Sequence, residues 1–269
     1  MRSTVRLGGV VGVVILSVIS AFFVGGIIMG VFTSDPEQIN KFYLYLSLIL
    51  GQGLIILPPI YYLNIKKKPI LNSFRLNPIS TKTLQSSAVF SLGVIIIFDT
   101  FDRILHQLVP TPDYIVDLGN IMQPESTLGF IFLFLAVVIM APIGEEIVFR
   151  GFLQKFLEEH WKDITRAVLI TSLFFAMIHF NPFWTVQIYL LGVILGFLSW
   201  KTNSIIPSIV LHSMNNGIAF ILTVFDESNL GIYLWNENVS PIFIAIAIYL
   251  IYSGFKTVSY THLTLPTKA

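Results

Sequence analysis

The chain has 269 residues, of which 55% are hydrophobic and 12% charged, and its mean hydropathy is +0.79. A soluble domain carries about 25% charged residues to wet its surface, so a water-soluble core is excluded, and a net charge of +1 argues against a face for nucleic acid. With no cysteine, disulfides, thiolate metal sites and cysteine nucleophiles are excluded as well. The expected fold class is all-α, a polytopic transmembrane bundle of about eight helices. Open strands cannot satisfy their backbone in lipid, and the segments lack a barrel's alternation.

A hydrocarbon core about 30 Å thick takes roughly 20 apolar residues of helix. The expected spans are 7–32, 42–63, 84–98 with an extension, 128–157, 167–180, 183–200, 204–225 and 241–255. The first follows Arg2 and Arg6 like a signal peptide, but it is too long for one and reads as a retained span. The second carries Pro58-Pro59, which predicts a kink there. At the far end, residues 258–267 read VSYTHLTLPT, which resembles the translation of a transposon-type sequencing adapter. Residues 258–269, with His262, are therefore expected to be a non-native tail. The chain divides into N-terminal helices and loops (1–127), a helical core that carries the polar motifs (128–257) and that tail.

If eight spans alternate, Arg2, Arg6, Lys66, Lys67, Lys68, Arg75, Lys82, Lys155, Lys162, Arg166, Lys201 and Lys256 share one side. Lys41 and Arg103 fall opposite, among the acidic residues Asp113, Asp117, Glu125, Asp226, Glu227 and Glu237. By the positive-inside rule both termini are expected in the cytoplasm of a multi-pass cell-membrane protein.

Three polar groups lie where hydrocarbon should be, at a cost of at least about 2.5–3.5 kcal/mol per charge near the centre of a span. In APIGEEIVFRG, Glu146 and Arg150 are four apart and share a helical face, so they pair. Glu145 points about 100° away with no local cation, a buried acid of the kind that serves as a general base. His179 closes FFAMIHF one turn after Phe175, and His212 precedes Asn216 by one turn in VLHSMNN. Each has a bland alternative: a helix leaving the membrane, an interfacial imidazole, or polar residues bonding neighbouring helices. Together they form a set of base, imidazoles and amide. The apolar residues Phe149, Phe152, Leu153, Phe156 and Leu157 continue beyond the acids. They put Glu145 roughly 18 Å deep, close to the depths of His179 and His212.

Glu145-Glu146-x-x-x-Arg150, Phe175-x-x-x-His179 and His212-x-x-x-Asn216, in this order, resemble the three motifs of the CPBP family. That family holds the type II CAAX prenyl endopeptidases, bacteriocin-processing and self-immunity proteins, and abortive-infection-like relatives. The resemblance covers roughly 128–217. It implies an intramembrane endopeptidase acting on a peptide or membrane-protein substrate. Glu145 and His179 would activate a water, and His212 and Asn216 would stabilise the oxyanion. Glu146 and Arg150, with Phe175, would brace the site. Two histidines and a glutamate can in principle hold zinc. HExxH is absent, and a metal-free glutamate mechanism with no cofactor is expected. Two other readings stay open: a non-proteolytic self-immunity or regulatory membrane protein, and an ion- or proton-coupled transporter. The transporter would show inverted repeats, and none is visible.

The charge asymmetry is directly testable. Reporter fusions at Lys67 and Asn236 are expected to give opposite compartment signals, and matching signals would mean that an odd number of spans between them is miscounted.

Overall fold

A computed structural model of the chain describes residues 5–32, 40–224 and 231–260. Arg2, Asp226, Glu227 and residues 261–269, with His262, lie outside the described residues. The architecture is all-α. The helices are α1 (Leu7–Phe32), α2 (Lys41–Leu54), α3 (Leu57–Ile65), a short α4 (Ile70–Ser73), α5 (Thr81–Leu108) and α6 (Asp113–Ile121). One long helix, Thr127–Trp161, comes next. It is built from α7 (Thr127–Phe134), α8 (Ala141–Glu146) and α9 (Lys155–Trp161), joined by π-helical turns at Leu135–Met140 and Ile147–Gln154. Then come α10 (Ile164–Met177), α11 (Thr185–Thr202), α12 (Ile206–Val224) and α13 (Pro241–Tyr260). A two-residue antiparallel ladder, β1 (Leu234–Trp235) with β2 (Asn238–Val239), precedes α13.

Local chemistry explains where several helices start. Ser80, Ser126 and Asp163 each accept a hydrogen bond from the backbone N–H three residues on, at 3.1, 3.1 and 2.9 Å, which caps α5, α7 and α10. Between α2 and α3 the break falls at Ile55 and Ile56, a little before the prolines expected to kink the span. The displacement reflects proline geometry. Pro58 and Pro59 cannot donate to the carbonyls of Leu54 and Ile55, and their rings crowd those same carbonyls.

Among the described residues, six helical spans are long and apolar enough to cross a membrane: Leu7–Phe32, Lys41–Ile65, Thr127–Trp161, Thr185–Thr202, Ile206–Val224 and Pro241–Val258. Two of the eight expected spans do not meet that description. α10 has 14 residues, roughly 21 Å of helix, short of a 30 Å core. α5 runs ten residues beyond the apolar stretch ending at Phe98 and carries Asp99, Asp102 and Arg103 within the helix. Arg103 was expected in a loop and is helical. α13 also runs past the expected native end near Thr257 without a break, to Tyr260.

The long helix is the hub. α1, α2, α10, α11 and α12 pack around it, while α5 packs between α12 and α13. Its Val148, Phe149, Phe152, Leu153 and Leu157 join Leu195, Leu198, Ile205 and Leu211 in the main core. At the periphery, α1 buries only Val10, Val14 and Ser17 despite its apolar character. Phe22, Phe23 and Val31 there, and Ile242, Tyr249 and Tyr252 on α13, face outward. Apolar surface on that scale belongs against lipid, and the chain is a multi-pass membrane protein.

The helix ends sort into two sets. At one end, Lys155 bonds Asn72, Glu158 pairs with Arg75, and Asn77 donates to the Asn203 carbonyl at 2.6 Å. At the other, Lys41 pairs with Glu125 at 2.9 Å, and Trp184 Nε1 donates to Asp102 at 2.8 Å. There too Tyr233 donates to Asp99 at 2.7 Å, and Arg103 bonds Asp99 at 3.2 Å.

Close helix approach makes two glycines sensitive. A Cβ at Gly93 would sit 2.6 Å from the Ala247 carbonyl oxygen, and one at Gly254 would sit 2.7 Å from Phe90. Gly93→Ala and Gly254→Ala are each expected to cost about 1–3 kcal/mol by overpacking α5 on α13. Gly12→Ala, where a Cβ meets nothing within 4 Å, should be neutral. Melting in detergent decides the matter, and unchanged midpoints in the first two would contradict this packing.

Candidate active site

The three motifs converge. Glu145 and Glu146 close α8, His212 stands in α12, and His179 lies in the turn just beyond α10. His179 is therefore past the helix end that the sequence pattern placed around it. Glu145 is 7% exposed, while Glu146 and Arg150 are completely buried.

Glu146 and Arg150 form the expected pair. Arg150 Nη1 donates to Glu146 Oε1 at 2.9 Å, and the same oxygen accepts from His212 Nδ1 at 3.0 Å. A second arm of the guanidinium donates to the Gly192 carbonyl at 3.2 Å. Its plane lies 4.1 Å from the centre of the Phe175 ring, a cation–π contact strengthened by desolvation. Phe175 in turn meets His179 and His212 edge-on, at centroid distances of 4.8 and 5.7 Å. It thus packs against both imidazoles as well as the cation.

Hydrogen bonding settles how the imidazoles are presented. His179 Nδ1 lies 2.7 Å from the Phe175 carbonyl oxygen. A carbonyl only accepts, so Nδ1 carries the proton. His212 Nδ1 is held in the same way by a carboxylate. Both rings then turn Nε2 toward Glu145 Oε2, at 4.0 Å from His179 and 3.8 Å from His212. These separations exceed direct hydrogen bonding. Glu145 Oε2 is buried with no hydrogen-bond partner among the described residues.

Asn216 is committed elsewhere in part. Its Nδ2 donates to the Val137 carbonyl at 3.0 Å, on the first π-helical segment, whose altered backbone course presents that carbonyl to α12. No three His, Asp or Glu side chains among the described residues form a group that could hold a metal ion.

An apolar cavity of about 520 Å3 reaches Glu145 and His179 from between α1 and α2. Sequence reasoning missed one of its polar members, Gln52, although Gln52 is the sole amide of the 42–63 stretch and sits between Gly51 and Gly53. A second cavity of about 800 Å3 lies among α5, α11 and α12 and holds Asp99, Asp102, His106 and Gln187. No sequence expectation covered that cluster. At its edge burial, with the Asp99 carboxylate beside it, pushes the Tyr233 phenol up, so it stays a donor.

Residues 127–218, which contain all three motifs, match the family described as Rce1-like, type II CAAX prenyl endopeptidase Rce1-like. Over 141 residues the chain is 26% identical to UPF0177 protein YbdI of Lactococcus lactis subsp. lactis (strain IL1403). That alignment covers 49% of this chain and 75% of the relative. No solved structure matches. The resemblance drawn from the motifs is thus borne out for the segment that carries them, and the matched family is one of membrane endopeptidases.

The buried pair yields a test of folding apart from chemistry. Removing one partner strands a charge, at about 3–5 kcal/mol. Glu146→Ala and Arg150→Ala are therefore expected to lower the monodisperse yield sharply in size-exclusion chromatography. Glu145→Gln, which breaks no ion pair to a permanent cation, is expected to keep it. Equal yields for all three would contradict the buried pairing.

Proposed function

We propose that the protein is an intramembrane endopeptidase in which Glu145 is the general base. The observation that carries this reading is the buried Glu145 carboxylate, unpartnered at Oε2, with two imidazole Nε2 atoms within 4.0 Å. A base must hold an acceptor in a dry place and leave it uncommitted. The family match over the same residues supports the reaction class.

In the proposed reaction a water bound among Glu145, His179 and His212 gives its proton to Glu145 as its oxygen adds to the scissile carbonyl. The tetrahedral intermediate collapses with cleavage of the C–N bond, and the proton passes from Glu145 to the leaving amine. His179, its Nδ1 anchored on the Phe175 carbonyl, orients the water through Nε2. His212 faces the developing oxyanion. Donation to that oxyanion takes a proton on His212 Nε2, since its Nδ1 is held by the Glu146 carboxylate. Asn216 contributes the amide hydrogen that Val137 does not use. Glu146, Arg150 and Phe175 hold these groups in place. The basic loops and both termini are cytoplasmic, as the positive-inside rule directs.

The test is hydrolysis of a library of apolar peptides by the purified protein in detergent, read by mass spectrometry in 18O water. New carboxyl termini carrying 18O are expected with the wild type. Glu145→Gln and His179→Ala should lower the rate at least about a hundredfold, the scale of a lost acid–base group, at normal yield. Undiminished cleavage in Glu145→Gln would end the assignment of the base.

A further inference from the structure

We propose that Gln52 is a substrate-positioning residue, its side-chain amide pairing with the backbone of an extended apolar peptide that occupies the cavity between α1 and α2. Val18, Phe22, Met29, Leu44, Leu48 and Ile178 give the cavity an apolar wall. Its polar groups are few. The Ser47 hydroxyl is spent on the Leu44 carbonyl at 2.7 Å. Glu145 and His179 belong to the chemistry already described. Gln52 remains: its Oε1 is buried without a hydrogen-bond partner, and nothing among the described residues bonds its Nε2.

A buried acceptor left unpaired, as Gln52 Oε1 is, is costly, and the cost is recovered when a ligand supplies a donor. A carboxamide offers a donor and an acceptor side by side, the same complement that an extended peptide carries on its edge. A peptide drawn into an apolar cavity has lost water from its own N–H and C=O groups and needs such a partner. An alkyl chain would fill the same wall and leave the amide stranded, which is why a peptide is the favoured occupant.

The packing also fixes where the contact falls. A Cβ at Gly144 would lie 2.8 Å from the Gln52 carbonyl oxygen and 2.7 Å from Ile55. Because residue 144 is glycine, the α2 backbone at Gln52 presses directly on α8, one residue before Glu145. Gln52 is therefore held in register with the base, and its partner in the peptide lies near the bond to be cut.

The proposal rests on the endopeptidase reading for the cleavage step that comes after binding, and the two can be tested apart. Turnover is stopped with Glu145→Gln in the full chain, and binding of fluorescein-labelled apolar decapeptides is measured in detergent. Each backbone N–H of a bound peptide is then replaced in turn by an ester oxygen. One ester position is expected to weaken binding about three- to tenfold, the worth of one hydrogen bond. Adding Gln52→Leu should weaken the parent peptide by a similar factor and abolish the ester's effect. A merely structural role for Gln52 would not remove that position-specific penalty. Gln52→Met, of similar volume, serves if Gln52→Leu is not monodisperse. The proposal is overturned if the penalty persists in these variants, or if no peptide binds. Binding through Gln52 without cleavage by the wild type rejects the endopeptidase reading and keeps the clamp. Cleavage with no dependence on Gln52 does the reverse.

Discussion

A guanidinium with no exposure to water is the constraint on which the site's geometry depends. Arg150 cannot lose its charge, so every neighbour must answer to it. Glu146 compensates the charge, the Gly192 carbonyl takes a second donor, and the Phe175 face covers the plane. Each of these partners then places a group of the site. Glu146 holds Nδ1 of His212, and Phe175 holds Nδ1 of His179 through its carbonyl. The two imidazoles are oriented by the two sides of one cation, and Glu145 lies between their remaining nitrogens.

The same logic runs down the helix. Gln154, one turn on, donates to the Gly196 carbonyl at 2.9 Å and to Glu158 at 2.8 Å, and Glu158 pairs with Arg75. Polar residues four apart on the long helix thus meet glycine carbonyls four apart on α11. A side chain at Gly192 would stand 3.3 Å from the Arg150 guanidinium, and one at Gly196 would stand 2.7 Å from Gln154. The glycines let the polar ladder reach backbone acceptors, a way of satisfying polar groups where lipid offers none.

What was legible in sequence was what is local. Glu146 and Arg150 pair because they are one helical turn apart, and the first span is bounded as its apolar run implies. The extent of α5 was hidden because its acids look like a helix end. Their partners, Tyr233 and Trp184, lie far along the chain, and only the fold shows that those charges are satisfied within a helix. The convergence of His179 and His212 on Glu145 was inferable from depth. Which nitrogen each ring presents was not, since that depends on a carbonyl and a carboxylate whose positions only packing determines. Gln52 was overlooked because a single amide in an apolar span has no motif around it.

The two π-helical segments that flank α8 bear on how this helix can change in length. Such a wide turn holds more chain than an α-turn at the same height and is met often at functional sites. Between the Val137 carbonyl, tied to Asn216, and Glu145, which faces the imidazoles, the number of residues sets the direction in which the acids point. Loss of one residue within Leu135–Met140 would allow an ordinary α-helix, which is locally the more comfortable state. Because the wide turn already absorbs an extra residue, such a loss would leave Glu145 and Glu146 facing the histidines, whereas loss of a residue within α8 ahead of them would swing both acids by about 100°. The wide turn accordingly takes up the loss of a single residue, and the short α8 that follows it does not.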